Sequence, residues 1–144
     1  MNDFLPDVNV LLALAWPNHQ FHEQARSWFR AEGSDHWNTC SITQLGFIRL
    51  SSNPSFTPYS KTPLESTMFL MDLLNHPGHR FIGDTPPAAR ETFLCVAKYL
   101  QGYKQTTDAY LMSLAKEKDL TLVTFDRRLE RYCPFDSVVR VLST

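Results

Sequence analysis

The sequence predicts an α/β fold in which a central parallel β-sheet is flanked by α-helices on both faces. Short apolar runs that suit buried strands alternate along the chain with longer segments of helical periodicity. This alternation is typical of parallel sheets with right-handed crossovers. The first strand, Phe4 to Asp7, runs directly into an apolar helix, Val8 to Trp16, which Pro17 ends.

The next elements follow from apolar spacing and from residues that cap helices. Apolar side chains recur at helical spacing from Phe21 to about Gly33, which predicts an amphipathic helix. His36 to Cys40 is expected to be the second strand. Ser41 or Thr43 is then expected to cap a helix that reaches about Ser52.

A Ser- and Pro-rich loop up to Ser60 precedes a helix that begins at Thr62-Pro63 and ends near Asn75. The part of this helix from Leu64 to Leu74 carries more large apolar side chains than one core-facing stripe requires. We therefore expect part of its surface to pack against a second subunit, giving a homodimer.

The second half of the chain repeats the alternation. A third strand is expected at His79 to Ile82. Asp84 or Thr85, followed by Pro86-Pro87, is expected to begin a helix that Gly102 closes. The remaining predicted elements are a helix from Thr106 to Lys118, a strand from Leu120 to Thr124, a helical turn from Asp126 to Tyr132 and a strand from Ser137 to Leu142.

Length and composition indicate one globular domain, residues 1–144, with a formal net charge of -1. No overall basic field points to nucleic acid, so any such binding must be local. Three cysteines without CxxC spacing argue against a disulfide framework or a structural zinc site. The longest apolar run is far too short for a membrane span. Together these features predict a cytoplasmic protein without membrane association.

Three aspartates occupy equivalent positions in the predicted fold. Asp7 ends the first strand, Asp108 lies in the first turn of a helix, and Asp126 directly follows the fourth strand. Active sites of open α/β sheets gather at the carboxyl ends of strands. Each aspartate alone could simply cap a helix. Their apolar sequence neighbours, however, make desolvation costly unless a cation neutralises them. Hard Mg²⁺ or Mn²⁺ suits such oxygen ligands.

Four segments in order, FLPDVNVLLAL, TCSITQLGFIRLSSNP, TTDAYLMSLA and LVTFDRRL, resemble the PIN domain, in particular the VapC-type toxins of bacterial toxin–antitoxin pairs. The resemblance covers essentially the whole chain and implies a PIN-like fold. It also implies a metal-dependent endoribonuclease that hydrolyses RNA phosphodiesters around one or two Mg²⁺ or Mn²⁺ ions. The members of this family form homodimers and are inhibited by a cognate VapB-type antitoxin.

The resemblance assigns the catalytic positions. Asp7, Asp108 and Asp126 match the first, third and fourth acids and are the expected metal ligands, whereas the second position, usually Glu, is Gln44. An amide oxygen is a poorer metal ligand than a carboxylate. Three explanations stay open: a nuclease working with three carboxylates, a weakened nuclease, or a deliberate Glu→Gln change. The alternative function is a catalytically impaired PIN domain that binds RNA or antitoxin without cutting.

Further residues are expected to support this site. Asn9, Thr107 and Thr124 are candidates for hydrogen bonds to the carboxylates or to bound water, although ordinary helix caps and strand-end hydroxyls fit them equally well. Base-specific contacts are expected from loops such as Ser51 to Ser60. Phosphate contacts to RNA, or alternatively a solvated face, are expected from Arg49, Arg127 and Arg128.

His19 and His22 stand three residues apart, a spacing that could hold a metal ion. No third ligand lies near them in sequence, so surface histidines on an amphipathic helix are the favoured interpretation.

Overall fold

A computed structural model describes residues 3–144 and contains a five-stranded sheet in the order β3-β2-β1-β4-β5. All four strand pairings are parallel, which confirms the predicted fold class. The strands are β1 Phe4–Pro6, β2 Trp37–Thr39, β3 His79–Phe81, β4 Thr121–Thr124 and β5 Val139–Val141.

Seven α-helices connect and cover these strands in the described part of the chain. A π-helical turn, Phe29–Gly33, extends the second helix, and a 3₁₀ turn, Tyr103–Gln105, precedes the sixth. The helices are α1 Val8–Ala15, α2 His22–Trp28, α3 Ser41–Ser51, α4 Pro63–Leu74, α5 Glu91–Ala97, α6 Thr106–Lys118 and α7 Arg128–Tyr132.

The sheet separates two apolar cores, because successive strand residues point to opposite faces. Phe4 belongs to the core that α1 to α4 form with the sheet, and its ring meets Trp28 edge-to-face at 5.3 Å between centroids. Leu5 belongs to the other core, formed with α5, α6 and α7. The central strand β1 is therefore buried on both sides, as a parallel sheet requires.

The predicted helix from Asp84 or Thr85 to Gly102 is wrong at both ends, since α5 spans only Glu91–Ala97. The residue before a proline is pushed out of the α region. Thr85 and Pro86 both precede a proline, so two consecutive residues favour extended backbone. The segment packs on α6 instead, where the Tyr110 hydroxyl donates to the Pro86 carbonyl.

The other predicted elements appear with ends that differ by a few residues. The caps of two helices are more informative. Asp7 caps α1, and its Oδ1 accepts the Val10 N–H at 2.9 Å. Cys40, rather than Ser41 or Thr43, is the N-cap of α3, and the Thr43 hydroxyl accepts the Cys40 N–H at 3.1 Å.

Helices α1 and α3 approach each other closely at Gly46. A Cβ at this position would lie 2.6 Å from Cγ2 of Val8, so only glycine allows the contact. Val8 directly follows Asp7, and the glycine therefore sets the distance between the start of α1 and the middle of α3. All three cysteines are free. No helix within residues 3–144 has the length and hydropathy to cross a membrane.

We predict that Gly78→Ala destabilises the protein, because the added Cβ would lie 1.9 Å from the backbone oxygen of Ser34, which cannot move aside. Overpacking of this kind costs about 2–3 kcal/mol, and the melting temperature should fall by roughly 5–10 °C. Thermal unfolding followed by circular dichroism measures the change. Gly102→Ala is the matched control, since its Cβ would meet nothing within 4 Å; equal losses in both variants would contradict the explanation.

Candidate active site

The structure brings Asp7, Asp108 and Asp126 to one cavity of about 250 Å³. The cavity lies at the carboxyl edge of the sheet, where β1 and β4 are neighbours. Val8, Asn9, Leu50 and Thr124 complete its lining.

Asp7 is the most buried of the three carboxylates, with 5% of its surface exposed. Its backbone N–H donates to the Val123 carbonyl at 2.9 Å, which fixes it against β4. Burial raises the pKa of Asp7 to about 7. A hydrogen bond with Thr124 opposes this rise, and the charge of Asp108 adds to it. A neighbouring cation would therefore stabilise the ionised form.

Asp126 has a different environment although it lines the same cavity. Arg128 donates to both of its carboxylate oxygens, from Nε at 3.0 Å and from Nη2 at 2.9 Å. The guanidinium hydrogen bond lowers the pKa of Asp126, which therefore stays ionised. The Asp126 N–H donates to the Thr124 hydroxyl at 3.0 Å. Thr124 thus connects two of the three aspartates.

Asp108 enters the cavity from the first turn of α6 and is half-buried. Burial, and next the charge of Asp126, raise its pKa to about 6, while Arg128 opposes the rise. Of the three carboxylates that line the cavity, Arg128 bonds Asp126, whereas burial places Asp7 and Asp108 in an environment that disfavours their charge.

The donor set fits a hard divalent cation, because the cavity offers the carboxylate oxygens of three aspartates and the hydroxyl oxygen of Thr124. Within residues 3–144, no three Asp, Glu, His or Cys side chains stand close enough to hold one ion directly. This placement suits Mg²⁺ or Mn²⁺ because Mg²⁺ usually takes one or two carboxylates and keeps several waters. The elevated pKa of Asp7 is the second sign of fit, since it reflects a carboxylate without sufficient compensating charge.

Gln44 is not among the residues that line this cavity. Its Nε2 donates to the Thr39 hydroxyl at 3.0 Å, and that hydroxyl shares a 2.7 Å hydrogen bond with Nε2 of His79. Thr39 ends β2, so Gln44 lies on the same edge of the sheet but interacts with the neighbouring strands. Its expected part in catalysis stays a prediction.

Three other expected site residues also lie outside the cavity lining. Thr107 lines a separate, more apolar groove with Ile42, Phe93 and Tyr110. Arg49 and Arg127 are exposed. Arg128, in contrast, lines an adjoining cavity of about 270 Å³ together with Asp108 and Asp126.

Sequence reasoning missed the role of His19, which is not a simple surface residue. Its Nδ1 accepts the Phe21 N–H at 3.0 Å, so the proton of the neutral ring lies on Nε2. Nε2 therefore donates to Oδ1 of Asn9, 2.9 Å away. Burial and the neighbouring His22 lower the pKa of His19 and favour this neutral form. The contact joins residues ten apart, and no local sequence pattern signals it.

The Asn9 amide is oriented by this hydrogen bond. Because Oδ1 accepts from His19, the amide group keeps its two N–H donors for other partners. Asn9 also lines the carboxylate cavity, so these donors are available to bound water or to an anionic oxygen there.

Comparison with known proteins identifies the family. Residues 4–133 match the family model of the PIN domain. The chain belongs to the PIN domain family. Similar sequences include Ribonuclease VapC38 of Mycobacterium tuberculosis, which is 38% identical over 85% of this chain and 84% of its own length. Ribonuclease VapC39 of the same species is 38% identical over 87% of this chain and 89% of its own length. This PIN domain is therefore of the VapC type.

Solved structures agree on the fold of this PIN domain. DNA-bound VapBC from Salmonella typhimurium matches with a TM-score of 0.64 at 17% identity, covering 98% of both chains. FitAcB from Neisseria gonorrhoeae matches with a TM-score of 0.61 at 20% identity, covering 94% of this chain and 95% of its own.

We predict that the metal-free protein loses stability as the pH rises from about 4 to about 8. A carboxylate whose pKa is raised on folding contributes stability that is complete at low pH and is lost as the pH passes the folded value, here about 7 for Asp7 and about 6 for Asp108. For Asp7 the loss is on the order of 4 kcal/mol.

Urea unfolding in EDTA at several pH values measures this dependence. Asp7→Asn removes the ionisation and keeps an oxygen for the Val10 N–H, so this variant should be more stable than the parent at pH 8 and have a flatter pH profile. Asp84→Asn, at a carboxylate with 98% of its side chain exposed, is the control. A parent whose stability rises across this pH range would contradict the prediction.

Proposed function

We propose that this protein is a VapC-type toxin: a metal-dependent endoribonuclease that hydrolyses RNA phosphodiesters and is inhibited by a cognate VapB-type antitoxin. The observation that supports this most directly is the convergence of Asp7, Asp108 and Asp126 on one cavity of a PIN domain. The 38% identity to proteins named as VapC ribonucleases supports the reaction.

Asp7 is the proposed principal metal ligand. It is buried at the strand–helix junction and held there by backbone hydrogen bonds, so it presents its carboxylate with little freedom. Asp108 and Asp126 would complete the site, at least one of them through a water molecule, because the three side chains do not stand close enough to hold one ion directly. When bound, Mg²⁺ or Mn²⁺ would activate a water nucleophile and neutralise charge on the phosphate.

The remaining residues of the site position the RNA. Asn9 offers N–H donors to a phosphate oxygen, and its orientation depends on His19. The Arg128 guanidinium donates to both carboxylate oxygens of Asp126. In the RNA complex its N–H donors would be shared between this carboxylate and a phosphate of the RNA. Thr124 holds Asp7 and Asp126 in register.

Two partners besides RNA belong to the proposal. Solved structures named as VapBC share this fold, which supports a VapB-type antitoxin. A second copy of the chain is supported by helix α4, where Leu64, Met68 and Met71 follow at helical spacing with 71%, 58% and 60% of their surfaces exposed. These three side chains are the excess apolar surface that the sequence indicates.

We predict that Mn²⁺ at about 100 times its dissociation constant raises the melting temperature of the parent by roughly 5–10 °C at pH 8. The ion compensates the charge of the buried Asp7 carboxylate, which burial and next Asp108 disfavour. Asp7→Asn should show little of this rise and should cleave RNA about 1000-fold more slowly, since a metal ion contributes several kcal/mol to the transition state. EDTA should stop RNA cleavage by the parent protein. Equal cleavage of RNA by the parent with and without EDTA would contradict the mechanism.

Gln44→Glu adds the charge that VapC-type sites usually have at this position, so it should tighten Mn²⁺ binding and raise cleavage. Gln44→Ala is the matched control and should leave Mn²⁺ affinity unchanged. Calorimetric titration with Mn²⁺ compares all three proteins. A parent that binds RNA or antitoxin but does not cut, and that gains cleavage in Gln44→Glu, would establish the impaired-nuclease alternative.

We predict that the protein is a dimer at micromolar concentration and that Met68→Glu makes it monomeric, because a charge buried at the centre of an apolar contact costs about 2 kcal/mol or more. Light scattering after size-exclusion chromatography reports the mass. Leu94→Glu is the control, since Leu94 is as exposed but lies on α5. If the parent protein is a monomer, the proposed dimer interface on α4 is disproved.

A further inference from the structure

Another cavity, of about 290 Å³, is linked to the carboxylate site by the His19–Asn9 hydrogen bond. Two separate segments line it: the end of α1 with the adjoining turn, and the Ser- and Pro-rich loop after α3. The lining residues are Trp16, Asn18, His19, Gln20, Phe56, Thr57 and Pro58. Its volume lies at the lower end of the range of small-ligand pockets, which begins near ~300 Å³.

The chemistry of the lining suits a flat, uncharged ligand with hydrogen-bonding edges. Asp, Glu, Lys and Arg are absent from the described lining residues. Phe56 is 41% exposed and offers an open ring face. Trp16 is buried, with its indole N–H donating to the Ser51 hydroxyl at 3.1 Å, and supports the cavity from below. Asn18 and Gln20 provide amide donors and acceptors. Aromatic surfaces with amides are the means by which proteins bind unstacked RNA bases.

His19 connects this cavity to the carboxylate site. Its ring lines the cavity, and its Nε2 donates to Asn9, which lines the site of the three aspartates. Trp16 caps the C-terminus of α1 and follows Asn9 by seven residues, or about 10 Å at 1.5 Å per residue. A stacked strand advances about 3.4 Å per nucleotide, so a strand at the carboxylates reaches this cavity within about three nucleotides.

The loop that carries Phe56 is preorganised for this contact. The Asn53 carbonyl accepts the N–H groups of Phe56 and Thr57 at 3.0 and 3.2 Å, and the Asn53 side chain accepts from Ser55 at 2.9 Å. The Lys61 N–H closes the loop by donating to the Ser51 carbonyl. Ser51 thus fixes both the loop and the Trp16 ring.

We propose that this cavity is a nucleobase subsite that holds one unstacked base of the RNA substrate near the scissile phosphate and so sets the base preference of cleavage. This inference rests on the proposed ribonuclease activity. Phe56 stacks on the base, Asn18 and Gln20 contact its edge, and His19 keeps the subsite in register with the carboxylates.

Two measurements test the subsite on the full-length protein. Cleavage of a randomised RNA pool with Mn²⁺, followed by sequencing of the products, gives the base preference at each position around the cut. Anisotropy of a short fluorescein-labelled single-stranded RNA in EDTA gives binding without cleavage. Phe56→Ala should lower RNA affinity and kcat/KM by about 5-fold to 150-fold, which is the range for loss of one base–aromatic stack.

Phe56→Ala should also erase the preference at a single position near the cut. Phe56→Leu, which keeps apolar volume without a ring, should behave similarly. Tyr59→Ala, at an aromatic residue of the same loop that is 68% exposed and does not line the cavity, should match the parent.

The outcomes separate the subsite from the nuclease. If Phe56→Ala has the same RNA affinity and the same base preference as the parent, the subsite is disproved and the proposed nuclease activity is unaffected. The same conclusion holds if Phe56→Ala weakens only antitoxin binding. Equal losses in Phe56→Ala and Tyr59→Ala would also disprove it, since they indicate general disturbance of the loop. If the parent protein cleaves no RNA in the pool, the proposed ribonuclease function itself is disproved.

Discussion

The burial of the Asp7 carboxylate at the junction of β1 and α1 is the constraint on which the rest of the structure depends. Asp7 directly follows the central strand β1, and its side chain caps the next helix, α1. The same carboxylate is affected by the charges of Asp108 and Asp126. Burial raises its pKa to about 7, so the fold holds a carboxylate in an environment that disfavours its charge. Such a residue lowers the stability of the metal-free protein, and a bound cation reverses the effect.

The surrounding architecture keeps this carboxylate in place. Strand β4 lies beside β1 and provides Thr124, whose hydroxyl interacts with Asp7 and accepts the Asp126 N–H. Gly46 lets α3 approach the first turn of α1. His19 fixes Asn9, which lies in the first turn of α1. Each contact comes from a different segment, so the site depends on the whole sheet rather than on one loop.

Charge is unevenly distributed around the site. Arg128 neutralises Asp126, whereas burial affects Asp7 and Asp108 more strongly. A cation therefore has most to contribute at Asp7, and Arg128 is the residue beside the carboxylates that would contact a phosphate in the proposed complex. In the proposed complex with RNA, the cavity lined by His19 would hold a base while the phosphates lie near the charged groups.

The sequence by itself determined the strand–helix alternation, the three aspartates and the apolar excess of α4, because these depend on local periodicity and on the residues at the end of each strand. The sequence-based prediction was wrong at Pro86-Pro87, because the residues before the two prolines favour extended backbone. This segment packs against α6, where its Pro86 carbonyl accepts the Tyr110 hydroxyl. Only the tertiary structure decided that Gln44 bonds Thr39, that Thr107 faces another groove and that His19 reaches Asn9. The physical reason is the same in each case: side-chain direction and long-range pairing depend on how helices dock, which local pattern does not encode.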